Sequence, residues 1–76
     1  MTKTVLVTGA AGGIGAGLVE ALAEAGWGVL GSDHPSTPPD NDIRQRCQAW
    51  IPADLAALSQ NAEALEAFRA AVITAT

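Results

Sequence analysis

The sequence predicts an α/β fold in which the strands form a parallel, doubly wound sheet and the elements follow in the order β-α-β-β-α. Short aliphatic and β-branched runs of strand length alternate with segments of helical periodicity. A glycine-rich turn joins the first of these runs to the first helical segment, as is typical of a βαβ unit. The length of 76 residues limits the chain to one small domain at most.

The first strand and the first helix lie on either side of this turn. Residues 4–8 are a continuous aliphatic and β-branched run ended by Gly9, which is the pattern of a parallel strand covered on both faces. A helix of about three turns follows and stops at Gly26. The apolar residues that recur at helical spacing, and so predict its buried face, are Ile14, Leu18, Leu22 and Ala25.

The middle of the chain predicts a second strand and a loop. Residues 27–32 are strand-like in spite of two glycines, and they end at Asp33. Residues 34–42 are rich in proline, serine, aspartate and asparagine, which predicts a loop. Residues 43–48 are expected to form a short helical turn.

The last third of the chain predicts a short strand and a second helix. Residues 49–51 form the strand, and Pro52 suits an edge strand because proline cannot donate to the ladder. Residues 58–72 are expected to be helical, and residues 73–76 are ambiguous. The predicted buried face of this helix holds Leu58, Leu65, Phe68 and Val72, and its solvated face holds Glu63, Glu66 and Arg69.

The predicted sheet lacks its second half. In the doubly wound order the first strand lies centrally with a fourth strand beside it, and residues 1–76 supply no fourth strand. The first strand would therefore lie at an open edge, where it could pair with a partner or with a second copy of the chain. We expect residues 1–76 to be the front part of a larger fold.

Composition and charge exclude several classes of protein. Hydrophobic residues make up 49% and charged residues 16%, which argues against intrinsic disorder. The net charge of −4 gives no electrostatic case for nucleic acid. A single cysteine, Cys47, excludes an intrachain disulfide, and no metal site is expected because no Cys or His cluster surrounds it. The apolar runs are too short for a signal peptide or a membrane span, so a cytoplasmic location is expected.

The glycine-rich turn carries the clearest functional signal. It reads Thr8-Gly9-Ala10-Ala11-Gly12-Gly13-Ile14-Gly15 and leads directly into the helix. Glycines permit a tight turn, close approach of a pyrophosphate to the backbone, and close packing of helix on strand. Free N–H groups and the helix dipole then favour a phosphate anion. The combination of strand, turn and helix predicts dinucleotide binding, so residues 1–76 are expected to be the N-terminal part of a dinucleotide-binding, Rossmann-type domain.

Asp33 is the acidic residue that this kind of site requires. It lies 18 positions beyond Gly15, at the end of the second strand. There a carboxylate can accept hydrogen bonds from the adenosine ribose and repel a 2′-phosphate, which favours NAD over NADP. The alternative is an exposed aspartate at the start of a loop. No clamp for a 2′-phosphate is evident, although Arg44 or Arg46 could fold back.

The pattern Thr8-Gly9-x-x-x-Gly13-Ile14-Gly15 resembles the cofactor fingerprint of the short-chain dehydrogenase/reductase family. This resemblance implies NAD as the cofactor. The residues that it places at the pyrophosphate are Gly9, Ala11, Gly12, Gly13 and Ile14. Asp54-Leu55, after the third strand, resembles the acid-plus-aliphatic pair of that family, which implies a carboxylate near the adenine amino group and a backbone contact from Leu55. The alternative for Asp54 is an acid at a helix N-terminus.

The glycines leave the branch of the family open. The same turn satisfies Gly9-x-x-Gly12-x-x-Gly15, the form of the sugar-nucleotide epimerase branch. The Ile14-Gly15 ending and Asp54-Leu55 favour the dehydrogenase branch. In that reading the parent enzyme transfers a hydride between NAD and a small alcohol or ketone.

No catalytic residue can be assigned within residues 1–76. The family uses a tyrosine and a lysine four residues later, but this sequence has no tyrosine and its only lysine is Lys3. We therefore predict that the 76-residue chain is inactive, and the alternative is a remnant that binds a nucleotide or a partner without catalysis. His34 has no carboxylate or cysteine at triad or metal spacing and is interpreted as a loop residue. The residues interpreted as packing groups are Trp27, Trp50 and Cys47.

Overall fold

The structure is a computed structural model that describes residues 3–76. Its elements confirm the predicted α/β class and the partial Rossmann-like architecture, because three parallel strands form one sheet. In chain order the elements are β1 (Thr4–Thr8), α1 (Gly13–Glu24), β2 (Gly28–Ser32), α2 (Asn41–Arg46), β3 (Ala49–Trp50), α3 (Leu55–Leu58) and α4 (Ala62–Ala75).

The sheet has the order β1-β2-β3, and β2 pairs with both neighbours in parallel. Hydrogen bonds continue past the short β3, since the N–H of Ile51 donates to Gly31 at 2.9 Å and the N–H of Ala53 donates to Asp33 at 2.9 Å. Pro52 lies between these two donors, beyond the end of β3, where its lack of an N–H removes no bond of the ladder. Within residues 3–76, β1 pairs on one side only, so its other edge is open.

The core lies between one face of the sheet and the helices α1 and α2. Its buried members are Val7, Ala10, Val19, Val29, Ile43 and Cys47. The side chains of Trp27 and Trp50 pack against this cluster and are partly buried, which confirms that both act as packing groups. Leu30 follows Val29 on β2 and therefore lies on the opposite face of the sheet, where it is also buried.

The predicted buried face of α1 is partly wrong. Ile14 is 87% exposed and Leu18 is half exposed, whereas the buried residues of this helix are Gly15 and Val19. The observed face is rotated by one residue, about 100° around the helix axis, from the predicted one. The reason is that Gly15 is the position at which the backbone of α1 packs directly against the glycine loop.

The single helix predicted for residues 58–72 is partly wrong, since residues 62–72 are helical but residue 58 belongs to another helix. It is divided into α3 and α4, and the Asn61 side chain caps the second by accepting a hydrogen bond from the N–H of Ala64 at 3.1 Å. No residue of α4 is buried, and Leu65 on the predicted core face is half exposed. The helix continues through residues 73–75, which the sequence left ambiguous.

The helix α2 begins two residues before the predicted helical turn. Asp40 caps it by accepting a hydrogen bond from the N–H of Ile43 at 2.9 Å, and residues 41 and 42 therefore belong to the helix and not to the loop. Over residues 3–76, none of the helices has both the length and the apolar character needed to cross a membrane.

Candidate functional site

The candidate site lies at the carboxyl ends of the three parallel strands. Because parallel strands end at the same edge of the sheet, the segments that follow them converge there. A cavity of about 260 Å³ opens between these segments. It is lined by Thr8, Gly9, Ser32, Asp33, His34, Ala53, Asp54, Leu55 and Ala56.

The glycine loop between β1 and α1 is held by the main chain. Gly9 has a φ of +66°, a left-handed conformation that glycine adopts without a steric cost. Its carbonyl accepts a hydrogen bond from the N–H of Gly12 at 3.1 Å, which closes the turn. The N–H of Ala10 donates to the carbonyl of Ser32 at 3.0 Å and so ties the loop to the end of β2.

Two further glycines of this loop have different roles. A Cβ on Gly15 would lie 1.9 Å from the carbonyl oxygen of Gly9, so only glycine permits this approach of helix to loop. A Cβ on Gly13 would meet no atom within 4 Å, so its surroundings are open. The glycine pattern of the sequence therefore combines one position required for packing with one that faces free space.

The N-terminus of α1 is available to an anion. The first N–H groups of a helix have no intrahelical acceptor and carry the positive end of the helix dipole. Within α1, all of which the structure describes, the first turn has no acidic residue, and the N-cap Gly12 provides no side-chain acceptor.

The structure brings Asp33 to the glycine loop. One carboxylate oxygen, Oδ2, accepts a hydrogen bond from the N–H of Ala11 at 3.0 Å. The other, Oδ1, accepts from the N–H of His34 at 2.7 Å. The side chain is only partly exposed and lines the cavity. The acid and the glycine loop, which the sequence indicated separately, thus form one continuous surface.

Asp54 is both an N-cap and a wall of the cavity. Its Oδ1 accepts hydrogen bonds from the N–H groups of Ala56 at 3.0 Å and Ala57 at 3.3 Å, which caps α3. This confirms the alternative interpretation of Asp54 as an acid at a helix N-terminus. Its side chain nevertheless lies beside Leu55 in the lining of the same cavity as Asp33, so the two interpretations are compatible.

His34 makes a contact that sequence reasoning missed. Its Nε2 lies 3.3 Å from Oδ2 of Asp54, although 20 positions separate the two residues. Its Nδ1 lies 3.1 Å from the backbone nitrogen and 2.7 Å from the hydroxyl of Ser36. His34 remains a loop residue, as predicted, and the spacing of the sequence did not indicate Asp54 as its neighbour. No local pattern indicates this pairing, because it depends on how β2 and β3 align.

The charges around the cavity are acidic. Asp33 and Asp54 line it, and none of its lining residues is an arginine or a lysine. Arg46 does not fold back toward Asp33, since it pairs with Asp42 at 3.2 Å and with Glu24 at 3.7 Å. The hydrogen bond and the negative charge of Asp42 raise the pKa of Arg46. The site therefore presents acid where a 2′-phosphate would need a positive charge.

The residues present fit a dinucleotide. The helix N-terminus offers free N–H groups, the space beside Gly13 is open, and the carboxylate of Asp33 lies next to the loop. Residues 3–76 contain no group of three or more His, Cys, Asp or Glu side chains that could hold a metal ion.

Comparison with known proteins gives one match. The model of the NAD dependent epimerase/dehydratase family matches residues 5–76, which include all four helices, all of β2 and β3, and the whole glycine loop. No curated protein and no solved structure matches the chain. The match agrees with the epimerase branch, whose spacing Gly9-x-x-Gly12-x-x-Gly15 the loop also satisfies. It does not specifically support the dehydrogenase branch, which the Ile14-Gly15 ending and Asp54-Leu55 favoured.

Proposed function

This chain belongs to the NAD dependent epimerase/dehydratase family, and we propose that its residues hold the adenosine and diphosphate parts of NAD for a hydride transfer at an alcohol or ketone carbon. The observation that carries this proposal is the convergence of the glycine loop and Asp33 at one edge of the sheet. NAD is the cofactor of this family.

The diphosphate is assigned to the glycine loop and the first turn of α1. A Cβ on Gly13 would meet no atom within 4 Å, so a ligand can approach the main chain there. The first N–H groups of a helix have no helical acceptor and favour an anion. The residues proposed to contact the diphosphate are Gly9, Ala11, Gly12, Gly13 and Ile14. The exposure of Ile14 supports its place here, because a residue that lines a ligand surface need not contribute to the core.

The adenosine ribose is assigned to Asp33. A carboxylate offers about four lone-pair sites, and two of them are used by the N–H groups of Ala11 and His34. The remaining sites can accept from the two ribose hydroxyls. The same negative charge, with no arginine or lysine in the cavity lining, disfavours the 2′-phosphate of NADP.

The adenine is assigned to Asp54 and Leu55. Leu55 is half exposed and lines the cavity, so its main chain and side chain are accessible to a planar ring. The Oδ2 of Asp54 is not used by the helix cap and faces His34. A carboxylate oxygen there can accept a hydrogen bond from an amino group.

When bound, NAD supplies the hydride acceptor of the reaction. The residues of this chain bind and orient it, but none is proposed to move the substrate proton. The sequence has no tyrosine, and Lys3 precedes β1, at the opposite end of the strand from the site. Its ammonium lies 5.5 Å from the centroid of the Trp27 ring.

The finer assignment within the family remains a proposal. We favour an epimerase- or dehydratase-type reaction on the strength of the family match. A dehydrogenase-type reaction is the second candidate, supported by the Ile14-Gly15 ending and the pair Asp54-Leu55. A binding module without catalysis is the third, supported by the open edge of β1, which could pair with a partner or a second copy of the chain.

The test is a calorimetric titration of the chain with NAD, ADP-ribose and adenosine. The matched variants are Gly13→Asp and Gly17→Asp, because a Cβ meets no atom within 4 Å at either position of α1. A carboxylate at position 13 would repel the diphosphate. We therefore expect Gly13→Asp to lower the affinity for NAD and for ADP-ribose at least tenfold, roughly the effect of one unfavourable charge contact. Its affinity for adenosine should stay unchanged.

The Gly17→Asp chain should bind all three ligands as the wild type does, since this residue lies one turn further along the helix. Absence of NAD binding to the wild-type chain would contradict the proposed function. If Gly13→Asp and Gly17→Asp lost equal affinity for NAD, the assignment of the diphosphate to the start of α1 would be contradicted.

A further inference from the structure

We propose that His34 is a positioning residue for the adenosine part of the cofactor, because its ring lies against the carboxylate of Asp54 in the lining of the cavity. The inference rests on the proposed function, since it concerns the same cavity. His34 follows the end of β2, and Asp54 lies between β3 and α3. The 3.3 Å contact between Nε2 and Oδ2 therefore links the segments that follow two neighbouring strands, and both residues line the cavity.

The surroundings of the ring determine which nitrogen carries the proton. The N–H of Ser36 donates to Nδ1 at 3.1 Å, so Nδ1 is an acceptor. The hydroxyl of Ser36, at 2.7 Å, can donate to the same nitrogen. In the neutral ring the proton then lies on Nε2, the nitrogen that lies 3.3 Å from Oδ2 of Asp54. The turn formed by residues 34–36 thus orients the ring toward Asp54.

Asp54 is held from two sides. Its Oδ1 accepts from the N–H groups at the start of α3, and its Oδ2 lies 3.3 Å from Nε2 of His34. A carboxylate that is capped at one oxygen and in contact with the ring at the other has fewer accessible rotamers, so an adenine amino group meets a preorganised acceptor. His34 also adjoins Asp33, whose Oδ1 accepts from the His34 N–H at 2.7 Å. One residue therefore positions both acids of the cavity, one by its main chain and one by its side chain.

The neighbouring charges do not offer Asp54 another partner. The cavity lining contains the acids Asp33 and Asp54 and no arginine or lysine. Both side chains of the link are close to half exposed, so its contribution is screened by solvent and is expected to be modest. We expect loss of the link to weaken binding of NAD by roughly three- to tenfold, through the cost of ordering the Asp54 carboxylate on binding.

The test compares three substitutions of His34 by titration with NAD and with adenosine. His34→Phe keeps an aromatic ring and removes both nitrogens, His34→Ala removes the ring, and His34→Gln restores an N–H donor that can reach Asp54. The positioning role predicts weaker binding of both ligands by the Phe and Ala variants and recovery in the Gln variant. Normal binding by the Phe variant with loss in the Gln variant would overturn it in favour of direct stacking of the ring on adenine.

A double-mutant cycle with Asp54→Ser measures the link itself. Serine is a good N-cap, so this variant should keep α3 capped while removing the acceptor for His34. The combined His34→Phe and Asp54→Ser chain should bind NAD about as weakly as Asp54→Ser alone, because the link is already broken. If the losses of binding free energy in the two single variants simply added in the double variant, the proposal would be overturned.

A spectroscopic measurement separates this inference from the proposed function. The ring nitrogens of His34 in the free wild-type chain should show one dominant tautomer, protonated on Nε2, by ¹⁵N NMR, and Asp54→Ser should reduce that preference. If the preference is found but NAD does not bind, the proposed function fails while the link stands. If NAD binds and the ring shows no preferred tautomer, the positioning role fails.

Discussion

The carboxylate of Asp33 accepts a hydrogen bond of 3.0 Å from the N–H of Ala11, although 22 positions separate the two residues. The bond joins the end of β2 to the glycine loop that follows β1. It places an acid, and no arginine or lysine, beside the main chain that is proposed to hold a diphosphate. The selectivity for NAD and the shape of the loop are therefore expected to depend on the same side chain.

Replacement of Asp33 by alanine should weaken the binding of NAD and reduce the preference for NAD over NADP. The side chain loses its ribose acceptors, its negative charge and its bond to Ala11. We expect NAD to bind roughly tenfold more weakly, as for the loss of a charged hydrogen bond, and NADP to lose less. Titration with both dinucleotides measures the ratio of the dissociation constants for NADP and NAD. Glu63→Ala, an equal loss of charge on exposed α4, should leave the ratio unchanged. An unchanged ratio in Asp33→Ala would remove this residue from the site.

Two glycines of α1 should respond to alanine in opposite ways. At Gly15 a Cβ would lie 1.9 Å from the carbonyl oxygen of Gly9, so backbone must move, and we expect a loss of about 1–3 kcal/mol or more in the free energy of unfolding. At Gly17 a Cβ meets nothing within 4 Å, and alanine should stabilise the helix by about 0.5–1 kcal/mol. Urea unfolding of both variants measures the difference. Equal stabilities would show that α1 does not pack on the loop in this way.

The buried thiol of Cys47 should make the fold sensitive to alkali. Burial raises its pKa above the ordinary value, and the charge of Arg44 and a hydrogen bond to the Gly31 backbone only partly oppose this. Because the raised pKa belongs to the folded state, its contribution to stability is complete below the pKa of the unfolded thiol. It is lost as pH rises through the folded-state pKa.

Urea unfolding at about pH 7 and about pH 10, around the titration of a free thiol, measures this effect. Cys47→Ala should lower the free energy of unfolding at both pH values because it leaves a small cavity. The decrease in that free energy from about pH 7 to about pH 10 should be smaller in this variant than in the wild type. Parallel declines would show that other groups cause the alkaline loss. The native thiol should also react slowly with alkylating reagents, since the reactive form is the thiolate.

The 76-residue chain with NAD and a simple alcohol should form no measurable NADH. The prediction follows from the absence of tyrosine in the sequence and from the location of Lys3 before β1, away from the carboxyl edge of the sheet. NADH absorbance followed over time is the measurement, with a titration on the same sample to show that the cofactor is bound. Reduction of NAD at a rate proportional to the concentration of the chain would refute the prediction.

Local pattern was sufficient for most of the secondary structure. The first strand was predicted as residues 4–8 and is β1 at the same residues, and the second strand differs by one residue. These predictions succeed because alternation of aliphatic runs with helical periodicity is a property of neighbouring residues. The break between α3 and α4 was missed because Asn61, a good N-cap, lies within a run of good helix formers.

The residues of the candidate site could be predicted from the sequence, but the contacts between them could not. The spacing of the glycines and the place of Asp33 at a strand end are written in the sequence, because each follows from a local turn or a strand boundary. The rotation of α1 that exposes Ile14 depends on the backbone contact between Gly15 and Gly9. Only tertiary packing determines such a contact.

The sequence by itself therefore determined the βαβ order, the glycine loop and the acid expected to select NAD. The tertiary structure decided which groups of distant residues come into contact. It brought Asp33 to Ala11 and His34 to Asp54, pairs separated by 22 and 20 positions. The physical reason is that parallel pairing aligns the carboxyl ends of strands that are distant in the chain, and this register depends on the whole sheet and its packed helices.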